Sequence, residues 1–291
     1  MNVLSLFDGM SCGQIALNKL GIKVDNYYAS EIDKYCIKIT QKNFPNTKQL
    51  GDIKNLKGCD LPKIDLIMGG SPCQGFSFAG KQLAFDDPRS ALFFEFVRLI
   101  KECKPKYFLL ENVKMKKEFL KVITEHLGVQ PICINSALVS AQNRVRYYWT
   151  NIPRIEQPAQ RGIVLKGILE TREIEGLSEK AINYMNRSSS KWSGGKTRKD
   201  IYIKNESEKA MCLTANMYKG VPYGIIETKK KKWRRLTPIE CERLQTVPDN
   251  YTEGVSDSQR FKMLGNGWTV DVIAHILKNL ESIYKKQKVD L

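Results

Sequence analysis

The stretch NVLSLFDGMSCGQIALNKLG, residues 2–21, decides the fold. Its opening NVLSLF is almost wholly apolar, the pattern of a strand buried on both faces. Gly9 and Gly13 make a turn, and Ala16, Leu17 and Leu20 then mark a helix that ends at Gly21. The same alternation continues. DNYYAS is a second strand, 33–44 a helix stopped by Pro45, IDLIM a strand and RSALFFEFVRLIKEC, 89–103, a strong helix. KYFLLE is a further strand, 116–127 is helical, and PICINSAL and RYYWTNI supply the last two strands. Strands alternating with helices predict a doubly wound, mostly parallel α/β sheet covered on both faces. Ligands in such folds sit at the carboxyl ends of the strands, where Asp8, Glu31, Cys73 and Glu111 each follow a strand directly.

The alternation stops near Pro153. Residues 154–233 are rich in Lys, Arg, Ser, Asn and Gly, with no clear helical period beyond 178–185, and read as an irregular basic subdomain. Helical patterns return at 237–245, where TPIE offers an N-cap with Glu three residues on, and at 269–285. The expected domains are therefore 1–153 with 258–291, and 154–257.

The 47 Lys and Arg against 31 Asp and Glu give the 291-residue chain a net charge of +16, which calls for an anionic partner, nucleic acid first. Without a run of 18 apolar residues or the order of a secretory signal at the start, a cytoplasmic protein with reduced thiols is expected. None of the eight cysteines forms a C-x-x-C pair and only His126 and His275 could join them, so no metal site is expected. Cys36 and Cys103, among apolar neighbours, read as core.

FDGMSCG is neither G-x-G-x-x-G nor a P-loop, so a phosphate-bearing cofactor is not indicated. Glu31, ending the second strand, stands where an acid accepts ribose hydroxyls, and Asp52 follows a third short strand. Together with the turn glycines they suit a nucleoside without pyrophosphate, and S-adenosylmethionine fits. As separate residues they read as turn glycines and solvated acids.

GGSPCQGFSFAGK, 69–81, sets Cys73 among Gly, Ser and Pro in a loop. A nucleophilic thiol needs its pKa of about 8.5 lowered by cations or amide donors. Lys81, Arg144 and Arg146 are candidates, and no histidine is placed for a Cys–His pair. Glu111 can hold a proton toward a substrate ring nitrogen. In QNRVRYYW, Arg144 and Arg146 share one strand face, either as a charged surface or as a fork of donors. KKKKWRR, 229–235, is a solvated charge run or a phosphate contact.

The ordered set FDGMSCG, SEIDKYC, GDI, GGSPCQGFSFAGK, ENVK, QNRVRYYW, RRLTPIECERLQTVPDNYT and LGNGWTV resembles the DNA cytosine-5 methyltransferases. It covers nearly the whole chain outside 154–233, where that family carries its variable target-recognition region. QNRVRYYW and its spacing look most like the branch that includes the vertebrate de novo enzymes. The resemblance implies a Rossmann-like S-adenosylmethionine-binding catalytic domain (1–153 and 258–291) and a target-recognition subdomain with hinge (154–257). It implies methyl transfer to C5 of a flipped cytosine in duplex DNA through a covalent bond between Cys73 and C6. Glu111 would engage N3, Pro72 and Asn112 would hold the nucleophile's loop, and Arg146 would bind O2. Arg144 and Gln142 would organise the site and reach a phosphate.

By the same resemblance the cofactor would meet Phe7, Asp8, Gly9, Met10, Gly13, Glu31, Ile32, Asp52, Ile53, Asn266, Gly267 and Trp268. DNA would meet Gln74, Ser77, Lys81, Thr214, Lys230, Lys232 and Arg235. The family usually has Ser where this chain has Gly267, which removes one cofactor contact. A bacterial or phage origin, a nucleoid setting, a monomer and a cognate restriction enzyme are expected. A catalytically silent DNA-binding homologue and a tRNA methyltransferase stay open as alternatives.

Overall fold

The computed structural model describes residues 1–72, 91–188 and 195–289, with side chains described through residue 280. Packing divides the chain into two compact units, Met1–Ile134 with Val145–Pro158 and Val272–Leu291, and Asn135–Arg144 with Ala159–Asp271.

The first unit alternates as expected: β1 (Asn2–Leu6), α1 (Cys12–Lys19), β2 (Asn26–Ser30), α2 (Lys34–Asn43), β3 (Lys48–Gln49), β4 (Leu66–Gly69), α3 (Ala91–Cys103), β5 (Tyr107–Val113), α4 (Lys117–Leu127), β6 (Ile132–Asn135) and β7 (Val145–Thr150). Their sheet has the order β3-β2-β1-β4-β5-β7-β6, parallel from β3 to β5, with β7 antiparallel to β5. Leu4 and Leu6 of β1 and Ile67 of β4 are sealed in the core with Phe93, Phe96 and Leu99 from the buried stripe of α3. Such side chains contribute about 1.5–3 kcal/mol each on burial. On the outer face of α3, Arg98 pairs with Glu95 and Glu102.

Register aligns the strand ends. Leu6 lies opposite Ser30 of β2 and Gly69 of β4, and Gly69 opposite Leu110 of β5. The residues one step further, Phe7, Glu31, Gly70 and Glu111, therefore share one edge of the sheet. Glu111 lies inside β5 rather than after it, because pairing with β7 carries that strand on to Val113.

The second unit holds α5 (Glu179–Asn186), α6 (Arg198–Tyr202), β8 (Lys204–Asn205), β9 (Ile225–Glu227), β10 (Trp233–Arg235), α7 (Pro238–Leu244) and α8 (Asp257–Asn266). Its sheet runs β10-β9-β8. The sequence promises irregular chain there, but strands of two or three residues are too short to show a period. α8 also escapes a sequence reading, since its apolar content is low. α7 begins as the sequence predicts, with a Thr237–Glu240 capping box. A final helix, α9 (Val270–Val289), lies mostly in the first unit.

These limits differ from those the sequence suggests. Residues 135–144 and 258–271 pack with the second unit. Ser136 donates to Thr269 Oγ1, and Ser140 and Gln142 donate to Leu244 O. Residues 154–158 pack with the first, where Asn279 donates to Arg154 O and the His275 ring bonds Glu156 O.

Candidate active site

The turn after β1 is built from left-handed residues, Phe7 at φ 56°, Gly9 at 58° and Ser11 at 65°. Asp8 N donates to Ser30 O at 3.2 Å, which ties this turn to the end of β2. The Glu31 carboxylate organises the edge. Its Oε2 accepts from Gly9 N at 2.7 Å, and its Oε1 from Ile32 N and Asp33 N, both at 2.8 Å. A carboxylate offers about four acceptor positions, so Oε2 can still take a hydroxyl proton. Asp52 caps the turn Ile53–Asn55 through one oxygen, accepting from Lys54 N at 3.0 Å. Ile32 stands 74% exposed beside Glu31. Two acidic acceptors and a bare apolar side chain suit a nucleoside with free hydroxyls. Phe7, Gly9, Glu31, Ile32 and Asp52 fit S-adenosylmethionine in that respect.

Four neighbours have other work. Met10 is 1% exposed and Ile53 3%, so both side chains belong to the interior. Gly13 is buried, and a Cβ there would come within 2.5 Å of Met68 Cε, so its glycine serves packing rather than ligand approach. The Asp8 carboxyl also turns inward, accepting from Tyr27 Oη at 2.8 Å.

Burial pushes the Asp8 carboxyl up from 3.8 to about 6, against the pull of the Ser5, Ser11 and Tyr27 hydroxyls. The folded protein thus holds a proton that the unfolded chain releases. The resulting stabilisation is complete below pH 3.8 and is lost as pH rises through about 6. It amounts to about 3 kcal/mol. Urea unfolding at intervals from pH 4 to 7 should show this loss in the wild type and a flatter profile in Asp8→Asn. Equal slopes in the two proteins would refute the assignment.

At the next strand, Arg146 Nε lies 2.8 Å from Glu111 Oε1, and both side chains are nearly buried. β5–β7 register explains the contact: Glu111 faces Tyr148, and Arg146, two residues along, lies diagonally on the same sheet face. Asn112 is 1% exposed, and its Nδ2 donates to Ser71 Oγ at 3.1 Å. That bond fastens β5 to the segment running through Pro72 toward Cys73. Ser71 is a holding residue that sequence reasoning missed, and its position two before the cysteine was the available signal. Cys73, Gln74, Ser77 and Lys81 lie outside the described residues. Among the described residues no cluster of His, Cys, Asp or Glu could hold a metal ion.

Arg144 and Gln142 correct the sequence reading. Arg144 precedes β7 and packs in the second unit, so it does not share a strand face with Arg146. It is 3% exposed. Its guanidinium donates to Leu213 O at 2.9 Å, Gly265 O at 3.2 Å and Gly267 O at 2.8 Å. Gln142, fully buried, donates to Leu244 O and Gln245 Oε1. Both knit backbone together rather than reach a phosphate. Arg144→Met would strand buried carbonyls and should cost about 3 kcal/mol in urea unfolding, with Arg144→Lys recovering only part because an ammonium lacks the fork. A loss below about 0.5 kcal/mol would refute this role.

Asn266 ends α8 exposed, with Gly267 and Trp268 half-buried after it. Gly265 was missed by sequence reasoning. A Cβ there would lie 2.2 Å from the Thr214 carbonyl carbon, so two backbones touch where no side chain fits. A glycine inside a helix was the legible sign. Thr214 opens the 3-10 turn Ala215–Lys219. Arg235 holds that turn, donating to Met217 O at 2.6 Å while stacking 5.0 Å over Phe261. Lys230 and Lys232 are exposed. The charge run is not all solvated: Arg234 is buried, donating to both oxygens of Glu240 at 2.8 Å.

The family model described as C-5 cytosine-specific DNA methylase matches residues 1–154 and 164–282. Type II methyltransferase M1.ScrFI of Lactococcus lactis subsp. cremoris is 33% identical over 98% of this chain and 79% of its own length. Type II methyltransferase M.HhaI of Haemophilus parahaemolyticus is 28% identical over 97% of this chain and 94% of its own. Among solved structures, the Entamoeba histolytica methyltransferase EhMeth superposes with a TM-score of 0.76 at 18% identity, covering 97% of this chain and 98% of that one. A Spodoptera frugiperda DNMT2 mutant gives 0.72 at 22%, covering 96% and 99%. The two structures share the fold.

Proposed function

The chain belongs to the C-5 cytosine-specific DNA methylase family, and from that premise we propose which of its residues perform the reaction. The protein transfers a methyl group from S-adenosylmethionine to C5 of cytosine in DNA. One observation carries the assignment of roles: the Glu111–Arg146 pair at 2.8 Å on the strand that Asn112 fastens to the segment entering Cys73.

The target base must leave the stack before its edge can be reached, at a cost of about a few kcal/mol. Cytosine C5 is a poor nucleophile, so the ring is first activated by covalent addition. The Cys73 thiolate forms a bond to C6, and the electron pair of the C5=C6 bond moves toward C5 as Glu111 supplies a proton or hydrogen bond at N3. Arg146, paired to Glu111, also donates to O2 and fixes the ring's position. When bound, S-adenosylmethionine supplies the methyl group that C5 takes. Loss of the C5 proton then lets the Cys73–C6 bond break, and both the thiolate and the aromatic ring return.

Phe7, Gly9, Glu31, Ile32 and Asp52 are the residues that hold the cofactor. Glu31 takes ribose hydroxyls, Asp52 an amino group, and Phe7 and Ile32 provide apolar contact. Residues 1–134 and 145–158 with 272–291 form the catalytic part in this reading, and residues 135–144 with 159–271 the part that recognises the target. Arg235 and Thr214 act there as braces, and Lys230 and Lys232 meet phosphate. The Type II names of the curated relatives support a cognate restriction enzyme and action on cellular DNA. Methyl transfer measured with labelled cofactor on duplex DNA and on tRNA tests the substrate. Label confined to tRNA would overturn the DNA reading, and no transfer to either would leave a silent homologue.

A further inference from the structure

A cavity of about 210 Å³ lies within the second unit, walled mainly by apolar side chains that include Leu213, Met217, Ile225 and Leu236. Cys212 and Thr214 line it as well. A molecule of liquid water takes about 30 Å³, so the space has room for a small guest. The Thr214 hydroxyl oxygen is buried without a hydrogen-bond partner among the described residues. Buried hydroxyls are nearly always paired, so an idle one points to a partner that the chain itself does not supply.

Cys212 is half-buried, and its sulfur accepts from Arg144 Nη1 at 3.4 Å. The guanidinium is only 3% exposed, so water screens its charge poorly. Other thiols differ. Cys12, Cys36 and Cys241 are buried, and the exposed Cys59 donates to the Asp60 carboxylate at 3.7 Å. At Cys212 a sulfur, a fixed cation and an idle hydroxyl meet at an apolar wall. The wall disfavours charged or bulky reagents. The cation and the hydroxyl suit a reagent that sheds a negatively charged oxygen. Hydrogen peroxide is small, neutral and loses oxygen in that way.

We propose that Cys212 is a modification site for hydrogen peroxide, with the Thr214 hydroxyl and the Arg144 guanidinium assisting its oxidation. Sulfur forms a bond to one peroxide oxygen as the O–O bond breaks. The departing oxygen takes the thiol proton and leaves as water. Sulfur loses two electrons, peroxide gains them, and the product is a sulfenic acid that thiols reduce back. Arg144 and the Thr214 O–H stabilise the negative charge growing on the departing oxygen. The same Arg144 nitrogen donates to Leu213 O at 2.9 Å. A sulfenic oxygen competes for that donor and loosens residues 213–219, where Asn216, Tyr218 and Lys219 are exposed. Oxidation therefore lowers affinity for DNA. This last step rests on DNA being the substrate, as proposed above, whereas the modification itself does not.

Treatment with limiting hydrogen peroxide beside dimedone, which traps sulfenic acids, followed by peptide mass spectrometry, reads the modification. In wild type the Cys212 peptide should gain label about tenfold faster, or more, than the Cys59 and Cys133 peptides. Thr214→Val keeps the shape, removes the hydroxyl and should slow labelling about 2- to 10-fold. Label on Cys59 and Cys133 but not on Cys212, or an unchanged rate in Thr214→Val, would overturn the proposal. The wild-type order decides even where the variant does not fold. DNA binding is read in Cys73→Ala protein, whose proposed nucleophile cannot itself be oxidised. Peroxide should weaken its hold on a labelled random-sequence duplex pool by about tenfold. Dithiothreitol should restore it, and Cys73→Ala combined with Cys212→Ser should not respond. An equal loss with Cys212→Ser, or unchanged affinity despite full label on Cys212, would refute the link to DNA. Untreated protein that binds no duplex would sink the DNA reading, while the labelling result would still decide the modification.

Discussion

Cys73→Ala is expected to abolish methyl transfer, by roughly four orders of magnitude or more, while DNA and cofactor still bind. The size of the effect follows from the chemistry. Without addition at C6 the ring keeps its aromatic electrons and C5 offers almost no nucleophilicity, so no other group on the chain can substitute by proximity alone. A duplex carrying 5-fluorocytosine separates this role from a structural one. Fluorine replaces the proton that must leave C5, so wild-type protein with cofactor should form an adduct that survives denaturing electrophoresis. Cys73→Ala should form none. An adduct of equal yield in the alanine variant would place the nucleophile elsewhere, and the neighbouring segment would lose its assigned purpose.

Glu111→Gln is expected to lower kcat by about 10²- to 10⁴-fold, with a smaller change in KM for DNA. Glutamine keeps nearly the shape of the side chain and can still donate a hydrogen bond to N3. It cannot hand over a proton as charge develops on the ring, and it offers only a neutral acceptor to the Arg146 guanidinium that sits 2.8 Å from the carboxylate. The deficit should therefore appear in the transition state rather than in ground-state binding. Single-turnover rates at saturating DNA provide the readout: the deficit should persist there undiminished. A variant with normal kcat and only a raised KM would show that Glu111 merely holds DNA.

The sheet edge that carries the proposed site was legible because its signals are local. β1, β2, β4 and β5 are apolar runs ended by turn residues, and Phe7, Glu31 and Glu111 fall at those ends by counting along the chain. What escaped depends on partners distant in sequence. Glu111 continues a strand only because β7 pairs beside it. Arg144 reads as a strand residue by spacing, yet Asn135 Oδ1 accepts its N–H and Leu213, Gly265 and Gly267 accept its guanidinium. Met10, Gly13 and Ile53 sit inside motifs that suggest ligand contact, and only packing shows that the Met10 and Ile53 side chains face inward and that a Cβ at Gly13 would strike Met68. The second unit reads as irregular in sequence because β8, β9 and β10 are shorter than any period that could reveal them.

The seam where Gly265 meets Thr214 has an evolutionary corollary. Because the two main chains abut without side chains between them, substitutions at Asn216, Tyr218 or Lys219 are mechanically insulated from the helix behind. Those few outward residues can therefore be exchanged without disturbing the packing beneath them. Any residue larger than glycine at position 265 would pry the whole segment loose, so the support tolerates no change while the outward face does.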